Sequence, residues 1–302
     1  MGQLLEPSEK SRLNDRLSLN RTPYVTACPI GCGVALHTTA LHLPEGPLRH
    51  CGECGQLLSA ASEVRYWKTM AAFNASGFNL PTPHEIDRRR KVAARRLRAV
   101  TRLLKKSPAD IRLVDIGCSR GQFVDFATRA GFAAEGVEPA TKIAAAAREA
   151  GLNVRTGLLE EQQYPDATFD AASLFEVVEH LREPLPLLQE CRRILKPGGI
   201  LLISTGNAAS WTVAAMGARW DYFHIEKDGG HISFFNPQSI TTLATVCGFN
   251  VERIETSRVK FHEKGDVSSA KYTAGKIAAE LLNLPARLAG CGHDMLVYLR
   301  RR

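Results

Sequence analysis

The chain has 302 residues, of which 44% are hydrophobic, and a formal net charge of +8 at pH 7. This apolar content supplies a packed core and excludes an intrinsically disordered chain. The sequence lacks an apolar run of about 18 to 20 residues, so no transmembrane helix is expected. The first residues lack the features of a signal peptide, which predicts a cytoplasmic protein whose eight cysteines are reduced.

The sequence is expected to divide into four consecutive parts. Residues 1–22 are predicted to be a flexible N-terminus, and 23–62 a small zinc-ribbon-like domain. Residues 63–107 are predicted to form bridging helices, and 108–302 the main α/β domain.

Four cysteines in the first part of the chain form two close pairs. Three residues separate Cys28 from Cys32, two separate Cys51 from Cys54, and 18 residues lie between the pairs. A glycine after each pair permits the positive φ that turns backbone N–H groups toward thiolate sulfur. Four thiolates favour a structural, tetrahedral Zn²⁺, and disulfides are the alternative. Nearby residues that could substitute as ligands are His37, His42 and His50.

A strongly basic helix is predicted from about residue 83 to 106. Apolar residues recur on one face at helical spacing, namely Ile86, Ala93, Leu97, Val100 and Leu104. Between His84 and Lys106 there are ten lysines and arginines and two carboxylates. The resulting charge of +8 equals the net charge of the whole chain. These cations form either a solvated face or a patch that binds phosphates.

Strands and helices alternate from residue 111 onward. The predicted strands are 111–116, 133–138, 153–156, 169–175, 200–204, 249–256 and 295–299. The predicted helices are about 120–130, 140–150, one from near 183, 236–247 and the amphipathic stretch 272–288. A turn is expected at 196–199. This alternation predicts a mostly parallel sheet covered on both faces, with the ligand groove at the carboxyl ends of the strands.

A D-x-G-x-x-x-G pattern joins the first of these strands to its helix, with Asp115, Gly117 and Gly121. Small residues at this turn let the backbone approach a ligand closely. Glu138 ends the next strand, where a carboxylate accepts hydrogen bonds from ribose hydroxyls. An acid beside the glycine turn suits a ligand with an ammonium and a sulfonium better than a pyrophosphate. The pattern therefore indicates S-adenosylmethionine rather than NAD.

Several segments between residues 72 and 302 resemble the class I S-adenosylmethionine-dependent methyltransferases. These segments are LVDIGCSRGQF, GVEP, TFDAASLFEVVEHL, ILKPGGILLIST and HISFFNPQSITTLATVCGF. The resemblance implies a Rossmann-like, mostly parallel sheet with an antiparallel final strand. It also implies that the cofactor is bound by Asp115, Gly117, Cys118, Ser119, Gly121, Glu138, Gly157, Leu158, Leu159 and Phe175. Ser119 departs from the family, which often has a glycine at that position.

The segment FEVVEHL follows the fourth strand, where the transferable methyl group is expected. In a helix that starts there, Glu176, Glu179 and His180 would share one face. Either they bind a divalent ion such as Mg²⁺, or His180 acts as a general base. The segment resembles that of ubiquinone-pathway O-methyltransferases, in which such a set is associated with a divalent ion. The structural alternative is that His180 packs under the loop and Glu179 is solvated.

The aromatic-rich segment 207–235 is expected to cover the acceptor side, with His231 as a second candidate base. Packing of this segment on the sheet is the alternative. The sequence favours O-methylation of a small-molecule or lipid- or sugar-linked hydroxyl. An RNA methyltransferase, which would hold phosphates with the cysteine segment and the basic helix, is the second hypothesis. A binding module without catalysis is the third. The sequence does not predict the oligomeric state.

Overall fold

The computed structural model describes residues 22–75, 82–226, 229–262 and 267–302, without the side chains of 73–75. Its strands are β1 (Leu36–Leu43), β2 (Gly46–Cys51), β3 (Leu57–Leu58), β4 (Arg112–Ile116), β5 (Ala133–Glu138), β6 (Val154–Thr156), β7 (Phe169–Phe175), β8 (Leu195–Gly206), β9 (Ser233–Phe234), β10 (Phe249–Thr256) and β11 (Asp294–Arg301). Its helices are α1 (Glu63–Ala75), α2 (Pro83–Leu104), α3 (Gln122–Arg129), α4 (Thr141–Glu149), α5 (Pro184–Ile194), α6 (Trp211–Met216), α7 (Pro237–Val246) and α8 (Ser269–Leu288). The predicted flexible N-terminus lies almost entirely outside the described residues.

A seven-stranded sheet forms the main body, in the order β10-β11-β8-β7-β4-β5-β6. The strands from β4 to β8 pair in parallel, and β11 is antiparallel to both of its neighbours. This arrangement confirms the predicted Rossmann-like fold with an antiparallel final strand. Because parallel strands end at the same edge, the residues after β4, β5 and β7 come together there.

The central strands are buried because helices cover both faces of the sheet. The first six residues of β7 are buried, as are the last four of β4, which matches their apolar sequences. One local prediction was wrong, since the expected turn at 196–199 belongs to β8. There the β7–β8 register shifts between Phe169 and Ala171, and Gly198 has a φ of 76°. The glycine absorbs this irregularity without breaking the strand.

The basic helix is present as α2. It begins with a capping box, in which Thr82 accepts from the Glu85 backbone N–H and Glu85 accepts from that of Thr82. Its inner face contains Ala93, Leu97 and Val100, as the spacing predicted. Ile86, which was expected on the same face, is 39% exposed.

A second sheet, with the strand order β1-β2-β3-β9, links the cysteine-rich part of the chain to the main body. All of its pairs are antiparallel. Strand β9 lies within the segment 207–235, so this segment contributes one edge of the small sheet. Cys28, Ile30, Cys51 and Cys54 belong to the same hydrophobic cluster as residues of the main sheet. The two parts therefore share a core.

Among the described residues, no helix combines the length and apolar character that crossing a bilayer requires.

Candidate functional site

The loop after β4 depends on two glycines in left-handed conformations. Gly117 has a φ of 71° and Gly121 a φ of 72°. A Cβ added to Gly117 would lie 2.7 Å from the Val177 side chain, and one added to Gly121 would lie 2.7 Å from Leu152. Only glycine satisfies both the conformation and the space. Ser119 between them also has a positive φ of 51°, which explains why the family often places glycine there.

Glu138 at the end of β5 closes this loop. Its carboxylate accepts hydrogen bonds from the backbone N–H groups of Ser119 (2.8 Å) and Ala140 (2.9 Å). The residue is 8% exposed, and burial raises its pKa against the effect of the two N–H groups. A carboxylate has about four lone-pair positions, so two N–H donors leave acceptor capacity for hydroxyl groups. This geometry fits the predicted contact with a ribose.

Asp115 lies at the end of β4, on the same edge of the sheet. It is 4% exposed and accepts a hydrogen bond of 2.6 Å from Ser173 Oγ. Burial raises its pKa to about 7, although the Ser173 hydroxyl and the Arg96 guanidinium oppose this shift. A nearby cationic ligand would favour the ionised carboxylate.

The affinity for S-adenosylmethionine is therefore expected to depend on pH. As the pH falls below about 7, Asp115 takes up a proton that the cationic ligand must displace, and the dissociation constant should rise toward about tenfold per pH unit. Calorimetric titrations between about pH 8 and about pH 6 measure this effect. Asp115→Asn should bind more weakly and lose most of the pH dependence. If the dissociation constant depended on pH equally in both proteins, Asp115 would not be the group that contacts the cationic ligand.

The other predicted cofactor residues lie around the same edge in different environments. Cys118 is buried, and its sulfur packs against Gly136, so only its backbone faces the loop. Leu158 is 49% exposed, whereas Leu159 is buried in the main hydrophobic cluster. Gly157 has a φ of 118° and adjoins the Glu161 side chain. Contact of these residues with the cofactor stays a prediction.

Phe175, the last residue of β7, lies between an aromatic ring and a guanidinium. Its ring meets that of Phe123 edge to face at 4.8 Å, and the Arg96 guanidinium lies 4.1 Å from its centroid. Arg96 Nη2 also donates to Ser204 Oγ at 3.4 Å. This arginine of α2 therefore reaches the carboxyl ends of β7 and β8 instead of belonging to a solvated face.

Two glutamates after β7 meet at one tyrosine. Tyr222 Oη lies 2.5 Å from Glu176 Oε2 and is also hydrogen bonded to Glu179 Oε1. Ser204 Oγ donates to Glu176 at 2.8 Å, and Thr205 Oγ1 donates to Glu179 at 3.1 Å. Glu179 is fully buried. Glu176 has many protein atoms around its carboxylate, but the residue keeps a surface that is exposed to solvent.

This cluster brings two carboxyl groups to one phenol, which favours protonation of a carboxyl group. A phenol has one proton and can donate it to only one carboxylate at a time. Burial, together with the charge of Glu176, raises the pKa of Glu179 well above its usual value. Of the two carboxyl groups, Glu179 therefore has the stronger tendency to hold a proton. Glu176, whose pKa burial also raises, is the accessible carboxylate of the pair.

The predicted arrangement of Glu176, Glu179 and His180 on one helical face was wrong. Glu176 has a φ of 56°, only a short 3₁₀ turn covers Val178–His180, and the next helix begins at Pro184. A positive φ at Glu176 ends the strand sharply and turns its side chain toward Tyr222. His180 packs instead against His231, with ring centroids 4.7 Å apart.

His231 is held in one tautomer by the backbone. Its Nδ1 lies 3.0 Å from the Tyr222 carbonyl oxygen, which can only accept, so Nδ1 carries the proton and Nε2 can act as a base. Burial lowers the pKa of His231 to about 3 and that of His180 to about 4, so both imidazoles are neutral. Ligand atoms of Glu179, His180 and His231 lie within 4.8 Å of one another. Together they form a candidate metal group that differs from the predicted one.

The four cysteines are brought together without disulfides. Sγ of Cys28 lies 3.6 Å from that of Cys32 and 3.7 Å from that of Cys54, and all four sulfurs lie within 4.8 Å of one another. Zn–S bonds of about 2.3 Å in a tetrahedron place sulfurs about 3.8 Å apart. The cysteine cluster, defined here as Cys28, Cys32, Cys51 and Cys54, therefore has the ligand spacing of a tetrahedral metal site. His37 and His50 pack on each other outside this cluster.

Backbone N–H groups turn toward the sulfurs, as the glycines predicted. Those of Cys54 and Glu53 reach the Cys51 thiol and, although burial opposes ionisation, lower its pKa. Gly33 and Gly55, which follow the second cysteine of each pair, have φ values of 73° and 70°. These positive values are the ones that the turn at a metal knuckle needs.

The cysteine part also holds the backbone of the candidate catalytic residues. Leu58 pairs with Ser233 between β3 and β9, two residues after His231. The Ser59 N–H donates to the Ile232 carbonyl at 3.0 Å, and the Ile232 N–H donates to the Glu179 carbonyl, also at 3.0 Å. A continuous set of backbone hydrogen bonds thus joins β3 to the turn after β7.

Comparison with known proteins identifies the family. A family model described as a methyltransferase domain matches residues 55–254, about two thirds of the chain. The chain belongs to this methyltransferase family. The match runs from the end of the cysteine cluster to β10, and it confirms the predicted membership of the class I S-adenosylmethionine-dependent enzymes.

Curated relatives of this methyltransferase share a name. This chain is 33% identical to a ubiquinone biosynthesis O-methyltransferase of Cereibacter sphaeroides over 150 residues. The aligned part covers 46% of this chain and 60% of that protein. The chain therefore spans less than two thirds of this relative's length. A protein of the same name from Dinoroseobacter shibae is 31% identical over 202 residues, 62% of this chain and 78% of that protein. The crystal structure of a proposed sarcosine dimethylglycine methyltransferase from Galdieria sulphuraria superposes with a TM-score of 0.50. The two sequences are 18% identical, and the superposition covers 78% of this chain and 98% of the other.

Two residues of the candidate site were not predicted from the sequence. Tyr222 was only one of several aromatic residues in the segment 207–235, and its contact with two glutamates depends on long-range packing. Arg96 was grouped with the nine other lysines and arginines between His84 and Lys106. One signal was available, because Arg96 precedes Leu97 and so lies at the border of the buried face of the helix.

Proposed function

We propose that this chain transfers a methyl group from S-adenosylmethionine to a hydroxyl oxygen of a small-molecule or lipid- or sugar-linked acceptor. The observation that carries the proposal is Glu176, an accessible carboxylate fixed at the end of β7 by Ser204 and Tyr222. Its position, one strand from Asp115, is where the family orients the transferable methyl group. The names of the curated relatives also support a hydroxyl acceptor.

Bound S-adenosylmethionine supplies a methyl group already activated by a sulfonium. Glu138 would hold the ribose, and Asp115 would favour the positive charges of the methionine end. Glu176 would accept the hydroxyl proton as the acceptor oxygen bonds to the methyl carbon and the C–S electron pair remains on sulfur. Its raised pKa brings it closer to neutral pH, where a general base works best. His231 Nε2 is the second candidate for this role, and it is the weaker base because burial lowers the pKa of His231 to about 3.

A divalent cation is the alternative way to polarise the hydroxyl. Tyr222 lies between Glu176 and Glu179, and His180 packs against His231. This arrangement favours a proton acceptor over a Mg²⁺ site, the two alternatives that the sequence left open. Glu179, His180 and His231 offer one oxygen and two nitrogens, a set that suits a transition metal better than Mg²⁺.

The cysteine cluster would bind one structural Zn²⁺. All four positions of a tetrahedron are taken by thiolates, which leaves none for a substrate. The metal would then stabilise the small sheet and, through β3 and β9, the turn that carries Glu179 and His180.

Methyl transfer from labelled S-adenosylmethionine tests the proposed function. The protein would be offered water-soluble phenols, lipid-linked phenols and sugars, and structured RNA in separate reactions. We expect the label on an oxygen of a hydroxyl acceptor. Mass spectrometry should identify the product as a methyl ether, which resists hydrolysis. Label that enters only RNA would replace this function with the second hypothesis from the sequence.

A further inference from the structure

Helix α8 carries a row of exposed aliphatic side chains. These are Ile277 (60% exposed), Leu281 (75%), Leu284 (62%) and Leu288 (81%). Their spacing of four, three and four residues places them on one face of the helix, in a stripe about 16 Å long. We call these four residues the α8 stripe.

The α8 stripe points away from the protein. The buried residues of the helix are Ala279 and Ala286, which lie on the opposite side when successive residues are about 100° apart. Small residues thus mark the face that packs on the protein, and large ones the face turned to solvent. A row of four large aliphatic side chains in this position is typical of an interaction surface.

Basic residues flank the stripe. Lys276 and Arg287 lie along one side of it and Lys271 along the other, and all three are exposed. Glu280 is the one carboxylate on the helix, and it accepts a hydrogen bond from Asn283. Glu280 lies on the same side of the stripe as Lys276 and Arg287, so the borders of the stripe carry three cations and one carboxylate. An apolar face with a net positive border is the pattern of a helix that lies in the interface of an anionic membrane.

We propose that the α8 stripe binds the surface of an anionic lipid bilayer, with the helix parallel to the membrane plane. The four aliphatic side chains would enter the boundary between headgroups and acyl chains, and the three cations would meet lipid phosphates. A second copy of this chain fits less well, because two such stripes in contact would bring together two helices that are both positively charged. This binding is separate from methyl transfer and does not depend on it.

A cavity connects the surroundings of α8 with the segment 207–235. This cavity of about 500 Å³ lies beside α8 and is lined by Ala274 and Ala278 of this helix and by Ala215 of α6. Helix α6 belongs to the segment 207–235, which also carries Tyr222 and His231. A bilayer held by α8 would therefore lie next to the segment that borders the candidate catalytic residues.

Vesicle co-sedimentation of the full chain tests this proposal. Vesicles of phosphatidylcholine with phosphatidylglycerol should retain the protein, vesicles of phosphatidylcholine alone should retain much less, and added salt should weaken the binding. Leu281→Glu combined with Leu284→Glu should lower the partition coefficient at least about tenfold. Val246→Glu, a change at a 56% exposed apolar residue on α7, is the matched control and should bind as the original chain does.

Two results would overturn the proposal. The first is equal retention of the original chain and the double variant on anionic vesicles. The second is sedimentation velocity that shows a dimer, which Leu281→Glu with Leu284→Glu converts to a monomer, while no vesicles retain either protein. That second result would assign the stripe to a second copy of the chain. Unchanged melting temperatures of the variants confirm that folding is not the cause.

Discussion

Replacing Glu176 with glutamine is expected to lower the rate of methyl transfer by about 10²- to 10⁴-fold, the usual contribution of a general base. Glutamine has the same shape, but its single amide oxygen can replace only one of the two carboxylate oxygens that accept from Ser204 and Tyr222. It also cannot take a proton from an acceptor hydroxyl. The affinity for S-adenosylmethionine should change by no more than about twofold, since Glu138 and Asp115 are intact.

Turnover and cofactor affinity of Glu176→Gln would be measured on the acceptor that the labelling experiment identifies. Glu149→Gln, at an exposed position on α4, is the matched control and should behave as the original chain does. The pH profile gives a second readout, because the acidic limb of turnover should disappear in Glu176→Gln. Turnover within about twofold of the original chain would return Glu176 to a structural role and make His231 the leading base.

Replacing Cys54 with serine is expected to abolish both metal binding and methyl transfer. A structural Zn²⁺ contributes on the order of 10 kcal/mol to the folding of small zinc domains, and a neutral hydroxyl is a poor substitute for a buried thiolate. Without the metal, β3 should no longer be held in place. The pairing of Leu58 with Ser233 and the bond from Ser59 to Ile232 would be lost with it.

Metal content, melting temperature and turnover of Cys54→Ser would be compared with those of Cys291→Ser. Cys291 lies outside the cysteine cluster and is partly exposed, so its replacement should leave all three quantities unchanged. We expect one zinc per chain in the original protein and in Cys291→Ser. Purified chain without metal, together with normal turnover of Cys54→Ser, would contradict the structural role of the cluster.

The sequence predicted the main sheet well because each of its elements follows a local rule. Apolar runs gave the buried strands, and the glycines at 117 and 121 marked a turn that no side chain fits. Cysteine spacing predicted the four-cysteine cluster for a similar reason, because two short knuckles leave little freedom for the ligands. These features depend on residues close together in the chain.

The candidate catalytic residues were predicted less well because their geometry is set by distant parts of the chain. The positive φ of Glu176 breaks the helical pattern that spacing alone suggested. Tyr222 contacts Glu176 and Glu179 across more than forty residues, and no local pattern distinguishes it from the neighbouring aromatic residues. The two-residue strand β9 is also too short to show any periodicity, although it joins the cysteine part to the main body.

A crystal structure of the chain with S-adenosylhomocysteine tests the placement of the cofactor most directly. We predict that the ribose hydroxyls lie about 3 Å from the Glu138 carboxylate, that the methionine end lies beside Asp115, and that the sulfur faces Glu176. A ligand bound elsewhere, or a pyrophosphate in the turn between Gly117 and Gly121, would contradict this prediction.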